Sequence, residues 1–246
     1  MVVGATGALG QAVARDLVRA GARVTITGGD GGKLGLLYDE LTVQGAVRAA
    51  NRRPDSEGDA EAMIKEAVEA FGELHGLVDA GGINHVAPIE DMTAQQFDQV
   101  WGANVRSPWL ICRAFGQYAK PRKAGASVVL VSSTRGALGH PAGYSAYSTS
   151  KGALNLLTRT LAAEWGEAGI RINAVAPTVF RSNLTAWMYA DDPKAVAVRN
   201  AFLARIPLGR LAEPDDVTGP VRFFLGDESC FCTGQILYVD GGYTAC

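Results

Sequence analysis

The 246-residue chain has only four cysteines and three histidines, and neither set is spaced to hold a metal. Cys112, Cys230, Cys232 and Cys246 lack the paired C-x-x-C pattern of zinc sites, and His75, His85 and His140 are scattered. No structural metal is expected. Cys112 sits in an apolar helical pattern and reads as a small core hydrophobe rather than a nucleophile. An excess of one charge is also missing: 23 Lys and Arg against 25 Asp and Glu leave a net −2. That balance gives no electrostatic footprint for nucleic acid or an anionic membrane. No apolar run approaches the roughly 18 residues of a membrane span, and no charged segment followed by an apolar one opens the chain. Repeats and long linkers are absent as well. These absences predict a cytoplasmic protein in a reducing compartment, with no membrane or nucleic-acid partner. What is present is ordinary for a globular protein with a sizeable core, at 48% hydrophobic and 20% charged residues.

Short apolar runs alternate with longer amphipathic stretches, the pattern of a parallel sheet covered by helices on both faces. Strands are predicted at residues 1–3, 23–27, 42–49, 76–78, 127–132, 170–175 and 235–239. Helices are predicted near 10–20, 58–71, 95–119, 144–165 and 214–226, with residues 51–58 as a solvated loop. The simplest assembly is an α/β, doubly wound Rossmann fold of about seven strands, one dinucleotide-binding and catalytic domain over residues 1–246.

Two segments carry chemistry. The first is Gly4-Ala5-Thr6-Gly7-Ala8-Leu9-Gly10, between a short apolar strand and an amphipathic run, with a second strand following at Arg23–Thr27. Glycine lets a backbone approach a ligand closely, and the first N–H groups of a helix face an anion, so the unit is built for a pyrophosphate. The second is Tyr147-Ser148-Thr149-Ser150-Lys151, which sets a phenol and an ammonium one helical turn apart on one face. A lysine charge there favours the phenolate and brings the tyrosine toward neutral titration.

With these and further landmarks in order, the chain resembles the short-chain dehydrogenase/reductase family over nearly its whole length. The others are Asp79-Ala80-Gly81-Gly82 in place of Asn-Asn-Ala-Gly, Asn104, Ser132-Ser133 after an apolar strand, Arg171 to Pro177, and Thr233-Gly234-Gln235 with Val239-Asp240-Gly241-Gly242. The resemblance implies an NAD(P)-dependent oxidoreductase that interconverts a secondary alcohol and a ketone by hydride transfer. It implies Tyr147 as general acid/base and Lys151 lowering its pKa and holding the nicotinamide ribose. Ser133 would hold the substrate oxygen, with Ser132 and Thr134 as weaker alternatives, and Asn104 would anchor a water that returns the proton. Cofactor contacts are expected from Gly4, Thr6, Ala8, Leu9, Gly10, Asp30, Asp79, Ala80, Gly81, Tyr147, Lys151, Pro177 and Val179. A dinucleotide-binding regulator without turnover, or an isomerase or lyase that retains its cofactor, remain alternatives.

Departures from the family pattern bear on what is bound. Ala8 replaces a glycine, tolerable where φ is negative, and Val3 stands where threonine is usual. The first strand is unusually short, which sets the terminal ammonium near the sheet's edge or marks a truncated chain. The loop from Ser133 to Tyr147 is one residue longer than the commonest spacing. At the end of the second strand Gly28 and Gly29 occupy the places of the usual acidic and Arg selectors. Asp30 and Asp79 tilt the expectation to NAD over NADP, with Lys33 as a candidate phosphate contact. The substrate pocket should form from residues 85–91, 135–144 and 178–207. Phe180, Leu184, Trp187, Met188 and Tyr189 would make an apolar lid, and Arg181 would be a carboxylate partner. His85, Arg135 and His140 add polar groups, and Thr178 narrows the space beside the nicotinamide. The resemblance implies a homotetramer or homodimer, using the helix of Tyr147 and the apolar tail 234–243, which would otherwise be a final core strand.

Overall fold

A computed structural model describes residues 1–182 and 185–245. Seven parallel strands form one sheet in the order β3-β2-β1-β4-β5-β6-β7. They are β1 Val2–Val3, β2 Val24–Thr27, β3 Val47–Ala50, β4 Gly76–Asp79, β5 Ala126–Val131, β6 Ile170–Pro177 and β7 Ile236–Val239. The order is that of a doubly wound Rossmann sheet, and its direction reverses between β1 and β4. A crevice opens beyond the carboxyl ends of the strands at such a switch point.

Helices cover both faces, which is why the strands read as continuous apolar runs rather than alternating ones. Successive side chains of a strand point to opposite faces, and β5 divides accordingly. Val128 and Leu130 enter a cluster with Ile64 of α3 (Glu57–Phe71), Phe115 of α5 (Ser107–Ala119) and Leu154 of α6 (Ser145–Trp165). Val129 and Val131 enter another with Val13 of α1 (Ala8–Arg19), Leu37 of α2 (Gly31–Thr42) and Phe224 of α8 (Thr218–Leu225). No helix among the described residues is long and apolar enough to cross a membrane.

Several boundaries differ from the sequence-based expectation. The predicted strand 42–49 begins later, at Val47, because α2 runs through Thr42. Its three glycines disfavour a helix by about 1 kcal/mol each, but Asp30 caps it by accepting from the Lys33 N–H at 3.0 Å. The predicted helix 95–119 is divided into α4 (Ala94–Trp101), a π-turn at Gly102–Arg106 and α5. Residues 193–203, expected within a loop, form α7 (Pro193–Leu203), capped by Asp192. The Met1 amino group is buried where the chain enters β1, an interior strand, rather than at an edge, and donates to the Gly76 carbonyl at 2.8 Å. The tail supplies β7, paired in parallel with β6, and the buried Tyr243. Leu184 and Cys246 lie outside the described residues.

Candidate active site

The glycine turn is required by close backbone approach. Gly4 has φ +75°, and a Cβ on it would lie 2.6 Å from the Gly81 nitrogen. A Cβ on Gly10 would collide with the Gly4 carbonyl oxygen, so α1 packs directly on the turn. Gly7 is the N-cap and Ala8 the first residue of α1, where φ is negative and the extra methyl of alanine costs nothing. The free N–H groups of this helix end face a groove of about 860 Å³. Its walls include Gly4, Thr6, Ala8 and Leu9 from the turn, Asp30, and Asp79, Ala80 and Gly81 from β4 onward. Gly10 lies beneath the floor. Pro177 and Val179 do not reach the walls: Pro177 pairs with Val239, and Val179 packs beside Ile206, Leu211 and Tyr243. Phe180, Arg181 and Tyr189 stand there in their place.

At the far end of the groove the sequence reading missed two residues. Arg52 and Arg53, assigned to a solvated loop, line the same wall as Gly28, Gly29, Asp30 and Lys33. The adjacency of β3 to β2 brings them there. Arg52 is held by Asp59 at 3.1 Å and Glu66 at 3.4 Å. Arg53 lies across Gly29, where a Cβ would meet its Cδ at 2.6 Å, and its side chain is 55% exposed with Asp55 at 3.6 Å. Asp30, the expected selector, caps α2 and pairs with Lys33 at 3.3 Å; the Lys33 bonds hold its pKa below the usual carboxylate range. Gly28 has no room for a side chain, since a Cβ would stand 2.5 Å from Thr6 Cγ2.

The first turn of α6 holds Tyr147 with Lys151 one turn on; neither lines the groove itself, and Lys151 adjoins it through Gly82, where a Cβ would stand 3.4 Å from its Nζ. The Lys151 ammonium is 5.8 Å from the Tyr147 ring centroid and donates to the Val131 carbonyl at 2.8 Å. The Ser133 hydroxyl is the polar side chain that most favours the phenolate. Ser132 is committed elsewhere, donating to Asn155 Oδ1 at 2.6 Å, so the choice between the two serines is decided by geometry. Burial pushes the Tyr147 pKa up, and Ser133 and then Arg135 pull it back, with Tyr144 adding to the rise. Lys151 was expected to supply that pull. Its own ammonium is instead pushed down to about 8 by burial, partly restored by Asp79. Asp79 is pushed up to about 6 by burial, against a 2.8 Å bond from the Gly81 N–H and the charge of Lys151.

Asn104 lies in the π-turn, a rare distortion that recurs at functional sites. Its side chain accepts from the Ile83 N–H at 2.8 Å and donates to the Ile83 carbonyl at 2.9 Å and to Ser150 Oγ at 3.0 Å. One amide proton is therefore spent on the Ile83 carbonyl and the other on Ser150 of α6.

The expected lid residues divide. Tyr189 and Phe180 line the groove, Met188 is buried in the core and Trp187 is 53% exposed. Arg181, expected to be a carboxylate partner, already pairs with Glu213 at 3.6 Å and stacks on Tyr189 at 4.1 Å. His85 is occupied by Gln99 at 2.9 Å. His140 stacks edge-on against Tyr144, and burial, followed by Arg135 and Arg205, pulls its pKa down.

Comparison with known proteins gives a consistent picture. A family model described as enoyl-(acyl carrier protein) reductase matches residues 4–244. An uncharacterized oxidoreductase of Mycobacterium tuberculosis is 53% identical over 246 residues, all of this chain and 91% of that protein. The L-rhamnose 1-dehydrogenase (NAD(P)(+)) of Azotobacter vinelandii is 33% identical, over 98% of this chain and 94% of its own. A solved gluconate 5-dehydrogenase of Burkholderia cenocepacia, in complex with NADP and tartrate, superimposes with a TM-score of 0.90 at 25% identity. That match covers 100% of this chain and 94% of the other.

Proposed function

The chain belongs to the short-chain dehydrogenase/reductase family, an oxidoreductase family with dehydrogenases among its relatives here, and on that premise we propose that it interconverts a secondary alcohol and a ketone with Tyr147 as proton carrier. The observation that carries this reading is the group of half-buried Tyr147 with buried Ser133 and Lys151 beside Gly82, a wall residue of the groove that also holds a helix N-terminus; a Cβ on Gly82 would stand 3.4 Å from Lys151 Nζ. A bound nicotinamide supplies the hydride donor or acceptor. The close Gly4 to Gly81 approach leaves backbone, not side chain, facing a pyrophosphate, so the residues present fit a dinucleotide.

In reduction, Tyr147 gives its proton to the carbonyl oxygen, and in oxidation it takes one from the alcohol. Ser133 holds the same oxygen through its hydroxyl, a preorganised donor for developing negative charge. Lys151, with a pKa near 8, exchanges protons near neutral pH and refills the tyrosine. Asn104 acts as a positioning residue that fixes Gly82 and Ile83; a Cβ on Gly82 would stand 3.4 Å from Lys151 Nζ.

For the nucleotide, the contacts support NADP over the expected NAD. Asp30 is spent on α2 and Lys33, while Arg53 extends over Gly29 with only a loose partner, placed for a 2′-phosphate. Subunit contacts are read from apolar exposure on α5 and α6, with Trp109 47% and Leu156 63% exposed, and from the fully exposed Phe231; these support a homotetramer or homodimer, which sedimentation tests. The catalytic reading is tested by following nicotinamide absorbance over a panel of polyols, sugar acids and ketones. Net cofactor oxidation or reduction is expected. Product formed without it would favour an isomerase or lyase.

A further inference from the structure

Arg135 follows Ser133 by two residues and is 8% exposed, yet its buried Nη1 has no hydrogen-bond partner. A guanidinium does not give up its proton in a protein, so burial cannot neutralise it as it would a lysine or histidine. A buried, unpaired charge is costly unless an opposite charge meets it. What surrounds Arg135 is aromatic: the Tyr144, Tyr243 and Phe202 rings lie 5.5, 5.8 and 6.0 Å from its Cζ. Rings offset part of the cost through their faces, but they do not satisfy an in-plane N–H. Arg205 stacks on the same Tyr243 at 4.3 Å, and His140 is under the influence of both guanidiniums. None of the ion pairs among the described residues involves Arg135 or Arg205. Two permanent positive charges thus share one aromatic cluster without a carboxylate.

The cluster adjoins the proposed reaction centre. The Arg135 backbone N–H donates to Ser133 Oγ at 3.2 Å, and the Tyr144 ring that Arg135 overlies packs edge-on against Tyr147 at 6.3 Å. Arg181, the arginine expected to pair with a carboxylate, pairs with Glu213 at 3.6 Å. We propose that Arg135 is the specificity-determining residue that binds a substrate carboxylate, making the substrate a hydroxy acid or keto acid. The inference rests on Tyr147 as proton carrier, because that placement makes the anion part of the substrate. A carboxylate suits the site better than a tetrahedral phosphate, since the guanidinium fork matches its planar geometry.

The test is calorimetric titration, at fixed ionic strength, of NADPH-saturated protein with tartrate and gluconate, with threitol and glucitol as neutral counterparts and inorganic phosphate as the competing anion. At least one acid is expected to bind about 30-fold or more tightly than its neutral counterpart, and Arg135→Met should erase that preference. Arg135→Lys, which keeps the charge and loses the fork, should fall between, and guards against a Met variant that does not fold. The proposal is overturned if acids and polyols bind alike, if phosphate binds best, or if Arg135→Met and Arg135→Lys leave acid binding unchanged. It is also overturned if acid binding is absent and the Met variant alters the oligomer, for then a second copy of the chain supplies the anion. Acid binding that depends on Arg135 without any turnover would retain the carboxylate site and overturn the oxidoreductase reading instead.

Discussion

Asp79 and Lys151 are buried as a pair whose charges partly compensate each other: burial moves the carboxyl up to about 6 and the ammonium down to about 8, and each restores part of the other's shift. The family's usual asparagine at that position would leave Lys151 uncharged over a wider pH range. Asp79 therefore sets how Lys151 titrates.

This pairing has a measurable cost. A carboxyl whose folded pKa lies above its unfolded value of 3.8 contributes stability that is complete below that value and is lost as the pH rises through about 6. Asp79→Asn is expected to be more stable than the native chain above pH 6 by about 2 to 3 kcal/mol, and equal to it below pH 4. Thermal melts at both pH values check this, with a rise of roughly 5 to 10 °C expected only at the higher one.

The Arg53 assignment concerns nucleotide choice. Removing a cation from a phosphate contact weakens only the ligand that carries the phosphate. Arg53→Ala should weaken NADPH binding about 10-fold or more and leave NADH binding within about 2-fold. Fluorescence titration with both nucleotides reads this directly. Equal loss for both would place Arg53 at the shared part of the cofactor.

Ser132 and Ser133 are adjacent but have different partners, so their alanine variants should separate. Ser132→Ala leaves the buried Asn155 Oδ1 without its 2.6 Å donor, and a stability loss of about 1 to 3 kcal/mol is expected with kcat/KM little changed. Ser133→Ala should keep its stability within about 1 kcal/mol and lose about 10² in kcat/KM. Denaturant titration beside steady-state kinetics distinguishes the two.

Gly28 is constrained by Thr6 rather than by its own backbone. Gly28→Ala should destabilise by about 1 to 3 kcal/mol through overpacking on Thr6 Cγ2, 2.5 Å away, and Thr6→Ala in the same chain should recover much of it. A double-mutant cycle in urea measures the coupling.

The parts of this site legible in the sequence are those made locally. The glycine turn, the Tyr147 to Lys151 spacing and the strand that ends just before Ser132-Ser133 each lie within one short segment, where spacing fixes geometry. What was missed depends on distant segments meeting. Arg53 reaches the groove because β3 lies beside β2, and Arg181 is lost as an anion partner because Glu213, 32 positions later, folds back to it. The π-turn at Asn104 has no sequence period of its own and was read as continuous helix. The phenol's pKa is pulled down by Ser133 and Arg135 rather than by Lys151, which donates to the Val131 carbonyl, an orientation that the i,i+4 spacing does not specify.

The central claim is that Tyr147 carries the proton, and the most direct measurement compares turnover and NADPH affinity in Tyr147→Phe with those of the native chain. Removing only the hydroxyl should lower kcat/KM about 10³-fold or more while NADPH binding stays within about 3-fold. Turnover within 10-fold of native, with cofactor binding intact, would contradict the account.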